Sequence, residues 1–155
     1  MRFSGSMQVP ATPSETLRRL RDPVWLSRIL PNLSSFEVTG EREFKAVFYL
    51  DLEEIAKVTG YLSRIRANMH FRYEDTGEDS VKVVGSGKVV GARIALSILV
   101  KVAPSVNGSV LDWEADTDLG IIQRLLGQEI TRRVANRQIE LLTSRLREEL
   151  STGIN

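Results

Sequence analysis

The stretch Tyr61-Leu62-Ser63-Arg64-Ile65-Arg66-Ala67-Asn68-Met69-His70-Phe71-Arg72-Tyr73-Glu74 decides the fold. Its odd positions, Tyr61 to Tyr73, are mainly apolar, and its even positions from Arg64 onward are polar or charged. A period of two over such a length marks a strand with one dry face and one wet face. Strands of an all-parallel sheet are apolar on both faces, so this sheet is antiparallel. The strand reading covers about residues 55–75, and Asp75-Thr76-Gly77-Glu78 turns the chain.

Downstream the alternation continues. Val81, Val83, Gly85, Gly87 and Val89 face inward on the next strand, then Ile94, Leu96, Ile98, Val100 and Val102. Asn107-Gly108 is a hairpin signal, and after it Leu111, Trp113, Ala115 and Thr117 share the inner face. Upstream, Phe44, Ala46, Phe48 and Leu50 mark one strand and Phe36 and Val38 another, with a turn at Gly40-Glu41. Met1, Phe3, Met7 and Val9 mark the first strand, which Pro10 ends. Pro13-Ser14-Glu15 opens a short helix through about Leu20. Asp22-Pro23 opens a second, with Asp22 as N-cap and Pro31 beyond its end.

From about Leu119 to Leu150 the period changes. Ile122, Leu126, Ile130, Val134, Leu141 and Leu142 follow helical spacing. One helix of about 32 residues would be roughly 48 Å long. A globule of this size is about 40 Å across, so such a helix spans it and one end protrudes or meets a partner. The order is strand, two short helices, six strands and a long helix, an α+β arrangement. The long helix is the only element large enough to cover the apolar face of the sheet. A twisted seven-stranded sheet wrapped around one helix leaves a gap between them. Gly60, Gly85 and Gly87 suit sharp curvature or close approach in such a sheet.

Composition excludes several chemistries. The 155 residues contain no cysteine and one histidine, His70. Disulfides, thiolate metal sites, a cysteine nucleophile and multi-histidine metal centres are therefore out. The net charge of +1 argues against a grip on nucleic-acid phosphates. Apolar content of 42% and the lack of repeats or linkers make residues 1–155 a single domain. No run of apolar residues is long enough to span a membrane, and no signal peptide opens the chain, so the expected location is cytoplasmic.

Four segments resemble one family. They are Phe3-Ser4-Gly5-Ser6 followed by Val9-Pro10-Ala11; Asp22-Pro23, Leu26 and Ile29-Leu30-Pro31-Asn32; Gly85-Ser86-Gly87; and Trp113-Glu114-Ala115-Asp116 with Leu119-Gly120 and Leu126-Gly127-Gln128. In order and spacing the chain resembles the CoxG family, named for the G subunit of carbon monoxide dehydrogenase, within the START-like, SRPBCC helix-grip superfamily. Asn32 stands where that family usually has glycine. The resemblance implies a helix-grip fold, a seven-stranded curved antiparallel sheet around a long C-terminal helix. It also implies a non-catalytic accessory protein that carries a lipid- or quinone-like molecule and serves a molybdenum-containing carbon monoxide dehydrogenase. No cofactor of its own is implied, and peripheral contact with a membrane stays open.

The expected ligand cavity lies between sheet and long helix. Its aromatic wall is Phe48, Tyr61, Phe71, Tyr73 and Trp113, with Ile65, Met69, Leu96 and Ile98 among them on the sheet. Ile122, Leu126 and Ile130 face them from the helix. Tyrosine hydroxyls or Ser63 would orient a ligand's polar end. Against this stands plain core packing, the commoner fate of any one inward apolar residue.

Other clusters read as solvated surface. Asp112, Glu114, Asp116 and Asp118 share the outer face, about 7 Å apart, too spread to enclose a calcium ion. His70 stands with Arg64, Arg66 and Arg72 on the wet face. Arg132, Arg133, Arg137, Arg145 and Arg147 are offset by glutamates on the same helix. Gly85-Ser86-Gly87-Lys88 lacks the spacing of a phosphate loop. Two further readings remain: a small cyclase or hydrolase using the cavity, and an adaptor docking through the long helix.

Overall fold

Prolines and caps set the first third of the chain. The computed structural model describes residues 1–51 and 64–152. In it β1 (Arg2–Val9) is followed by α1 (Pro13–Leu20) and α2 (Pro23–Ile29), each with proline in its first turn. The Thr12 hydroxyl accepts the Glu15 amide at 3.2 Å, and the Asp22 carboxylate accepts the Val24 amide at 3.0 Å. Each satisfies a donor that the helix itself leaves unpaired. Asn32 has φ +58. Asparagine tolerates this left-handed conformation better than most residues, which explains how it replaces a glycine there.

Six strands follow: β2 (Leu33–Gly40), β3 (Glu43–Asp51), β4 (Arg64–Glu74), β5 (Ser80–Val89), β6 (Ala92–Ser105) and β7 (Gly108–Asp118). With β1 they form one antiparallel sheet in the order β1-β7-β6-β5-β4-β3-β2. The expected alternation holds in β4, where Ile65, Ala67, Met69, Phe71 and Tyr73 are buried and Arg64, Arg66, Asn68 and Arg72 are exposed. The part of the expected strand before Arg64, with Gly60, Tyr61 and Ser63, lies outside the described residues.

The last third differs from the single helix that the periodicity predicts. It is α3 (Ile121–Leu126) and α4 (Gln128–Thr152), separated at Gly127, where φ is +84. That conformation is reserved for glycine, and no continuous helix passes through it. The apolar spacing hides the break, because Ile122, Leu126, Ile130 and Val134 keep steps of four across it. Nor does the helix protrude at its end: Leu146 is 8% and Leu150 0% exposed. The 25 residues of α4 measure about 37 Å, close to the width of the domain.

Candidate functional site

The inner face of the sheet is built from side chains lying over glycines. A Cβ on Gly5 would sit 2.6 Å from Cζ2 of Trp113, its register partner on β7. A Cβ on Gly85 would sit 2.5 Å from Cε1 of Phe71, and one on Gly87 would meet the Asn68 backbone carbonyl oxygen of the neighbouring strand before Sδ of Met69. Only glycine gives these large side chains room to lie along the sheet. Lying flat, they form a lower layer than side chains standing upright.

The cover does not fill the space above that layer evenly. Phe44 links an aromatic group, stacked on Phe71 at 5.0 Å and tilted against Phe36 at 5.2 Å, and Phe48 meets Phe71 edge-on at 6.2 Å. Here Phe44, Ala46, Met69 and Phe71 are buried, and Phe48 and Leu50 are half-buried. On β6 and β7, Val102 and Leu111 are buried, while Ile94, Leu96, Ile98, Val100, Trp113, Ala115 and Thr117 face inward and are half-buried. Leu126 and Ile130 on the helical side are half-buried too. α4 packs chiefly on α2, α3 and β1. An interior at ordinary density would close over such residues. Their partial exposure shows that the helices cover this part of the sheet incompletely.

The expected cavity residues thus divide. Ile65, Met69, Phe71, Tyr73 and Ile122 are buried, while Phe48, Leu96, Ile98, Trp113, Leu126 and Ile130 are half-buried. Tyr61 lies outside the described residues. Ile94, Val100 and Ala115 belong with the half-buried set, and their matching parity with Leu96, Ile98 and Trp113 is the signal for them.

Of the hydroxyls expected to orient a ligand, Tyr61 and Ser63 lie outside the described residues and Tyr73 is engaged in the fold, as are two threonines nearby. Tyr73 donates to the Leu20 carbonyl at 2.8 Å, and burial pushes its phenol well above the usual tyrosine value. Thr117 donates to the Met1 carbonyl at 3.2 Å, and Thr131 to the Gly127 carbonyl at 2.7 Å. No charged residue stands on the inner face of the described strands.

Outside this space the polar groups serve the surface. Asp112, Glu114, Asp116 and Asp118 are exposed, Arg2 pairs with Asp116 at 3.2 Å, and no metal-holding cluster occurs among the described residues. His70 lies 3.7 Å from Glu43 on the outer face. On α4, Arg133 pairs with Glu129 and Arg137 with Glu140, Arg145 donates to the Leu30 carbonyl, and Arg132 covers the Phe3 ring. A recess of about 380 Å³ opens beside the β4–β5 turn. Its arginines are occupied: Arg21 donates to the Glu78 and Ser80 carbonyls, and Arg42 pairs with Asp75.

With this geometry in view, the comparisons with known proteins are consistent. Residues 5–151 match the family described as CoxG, the G subunit of carbon monoxide dehydrogenase. The chain belongs to the CoxG family. No curated protein matches this CoxG chain. Among solved structures, it is similar to a conserved protein from Geobacillus kaustophilus, with TM-score 0.80 and 18% identity over 98% of this chain and 96% of that one. A START superfamily protein from Mycobacterium smegmatis superposes with TM-score 0.68 and 8% identity, over 97% of each chain. A protein from Thermus thermophilus gives TM-score 0.66 and 15% identity over the full length of both. At such identities these neighbours establish the shared fold: CoxG here is a START-like, helix-grip domain. No described helix is long and apolar enough to cross a membrane.

Proposed function

We propose that this CoxG protein binds one hydrophobic molecule, lipid- or quinone-like, in the space between β6–β7 and α3–α4. The carrying observation is the half-buried apolar inner face of Ile94, Leu96, Ile98, Val100 and Trp113, together with half-buried Leu126 and Ile130 on α3 and α4. Burial of apolar ligand surface, at about 25 cal/mol per Å², drives uptake. The lack of charged groups on the described inner face favours a carrier over an acid–base enzyme, which needs an ionisable group there. The family description supports service to a carbon monoxide dehydrogenase as an accessory subunit. A prenylated quinone, a long-chain fatty acid and a polyaromatic hydrocarbon are titrated into a Trp25→Phe variant, which leaves Trp113 as the sole indole. One of them quenches Trp113 saturably and, at 100 times its Kd, stabilises the fold by about 2.7 kcal/mol. No quenching and no thermal shift with any of the three would refute the reading.

A further inference from the structure

The face of the sheet turned away from the helices divides by charge along its cross-strand rows. One row runs Arg72, Val84, Ser97, Asp116 across β4, β5, β6 and β7, and the next runs His70, Ser86, Ala95, Asp118. Each has a basic side chain at its β4 end, short side chains in the middle and a carboxylate at its β7 end. Lys45 lies beside His70 on β3, and Asp112 and Glu114 continue the acidic side along β7. Neighbouring strands are about 4.8 Å apart, so the ends of a row stand about 14 Å apart, beyond the reach of exposed charges in physiological salt. Lys45, Arg66, Lys88, Arg93, Asp112 and Glu114 form no ion pair among the described residues. The pairs that do form at the row ends, Arg2 with Asp116 and Arg72 with Glu74, are exposed. Surface pairs of this kind exchange partners at little cost.

We propose that this face mates with a second copy of itself. A two-fold axis between the two faces, parallel to the strands and midway between β5 and β6, turns each row end for end. Arg72 and His70 then stand over Asp116 and Asp118 of the second copy, and the symmetry repeats the contact on the other side, the self-complementary closure of a C2 dimer. Shape agrees with charge. A sheet wrapped around helices is convex outside, so two copies touch along the midline and part towards β4 and β7. Short Val84, Ser86, Ala95 and Ser97 occupy the midline, and long Arg72 spans the widening gap. Glu74, a carboxylate on the basic side, is already neutralised by Arg72 and Lys82. The like-charged Lys88–Arg93 row lies beyond Asp118, the last residue of β7, at the rim of the contact, where salt screens it. The dimer leaves the inner face as it is, so it stands or falls apart from ligand binding.

The test is sedimentation equilibrium of the full chain at about 0.01 M and about 0.15 M salt, where the Debye length is about 30 Å and about 8 Å. A monomer–dimer equilibrium is expected, with the dimer weakened by salt. His70→Glu/Arg72→Glu reverses the basic end of the rows, and Glu114→Lys/Asp116→Lys reverses the acidic end. Each variant alone raises the dimer dissociation constant more than about tenfold with the circular dichroism unchanged. Mixed in equal amounts, the two variants pair again: the acidic β4 of one meets the basic β7 of the other, and their unaltered strands meet as before. A chain that stays monomeric at low salt leaves the cations to an acidic partner protein and overturns the proposal. A dimer that neither variant weakens places the interface elsewhere and overturns it too, as does failure of the mixture to reassociate after each variant alone has dissociated.

Discussion

Replacing Gly5 by alanine tests the flat-lying layer directly. The new Cβ would stand 2.6 Å from Cζ2, 2.8 Å from Cε2 and 2.9 Å from Nε1 of Trp113. Carbon contacts settle near 3.5–4.0 Å, so the rigid indole must rise by about 1 Å. Overpacking of this kind costs about 1–3 kcal/mol. Alanine recovers about 0.4–1 kcal/mol by restricting the unfolded chain, because Gly5 has no positive φ. The net is a loss of up to about 2.6 kcal/mol. For a domain of this length Tm then falls by up to about 10 °C. Urea unfolding followed by circular dichroism gives the free energy, with an unchanged m-value as the check on two-state behaviour. In a Trp25→Phe background the Trp113 emission also shifts as the ring leaves the sheet. The double variant Gly5→Ala/Trp113→Leu regains about 1 kcal/mol or more as coupling energy. A neutral or stabilising Gly5→Ala with unchanged Trp113 emission would refute the claim that glycine makes room for the ring.

Three further outcomes follow. Tyr73→Phe lowers stability by about 0.5–1.5 kcal/mol through the lost bond to the Leu20 carbonyl, read from urea midpoints. Because burial raises the folded phenol above its unfolded value near 10, the tyrosine's contribution is complete below that pH and lost above it, and alkaline unfolding curves of Tyr73→Phe are flatter there. Arg18 and Arg19 hold the Glu15 carboxyl down to about 2, so its contribution to α1 is present above the ordinary carboxylate range and lost as pH falls through it toward 2; an NMR titration midpoint near 4 would contradict the pairing. Gly127→Ala costs about 1–3 kcal/mol at φ +84 and ψ 156, and a free substitution there would mean that α3 and α4 join smoothly.

Much of this fold is legible in the sequence because it follows from local rules. The alternation through β4, the Asn107-Gly108 hairpin and the prolines opening α1 and α2 each report their own geometry. What stayed hidden depends on distance to other layers. A period of two says which way Ile98 and Val83 point, not how far the helices stand above them. The same alternation describes buried Met69 and half-buried Leu96. Tyr73 reads as a free hydroxyl until α1 is seen to end against it. Gly127 sits inside an unbroken apolar stripe, and only its backbone angle reveals two helices.

The neighbour of β1 has a consequence for biosynthesis. β1 pairs with β7, and Arg2 meets Asp116 across 114 residues of chain. During translation the apolar side of β1, with Phe3, Met7 and Val9, leaves the ribosome before β7 and lacks its strand partner until β7 emerges. At about 5–20 residues per second that interval is roughly 6–20 s. Closure over so long a loop places this chain among slow folders, those ruled by non-local pairing. β1 is thus the strand most in need of chaperone cover, until synthesis of the last strand lets the sheet close.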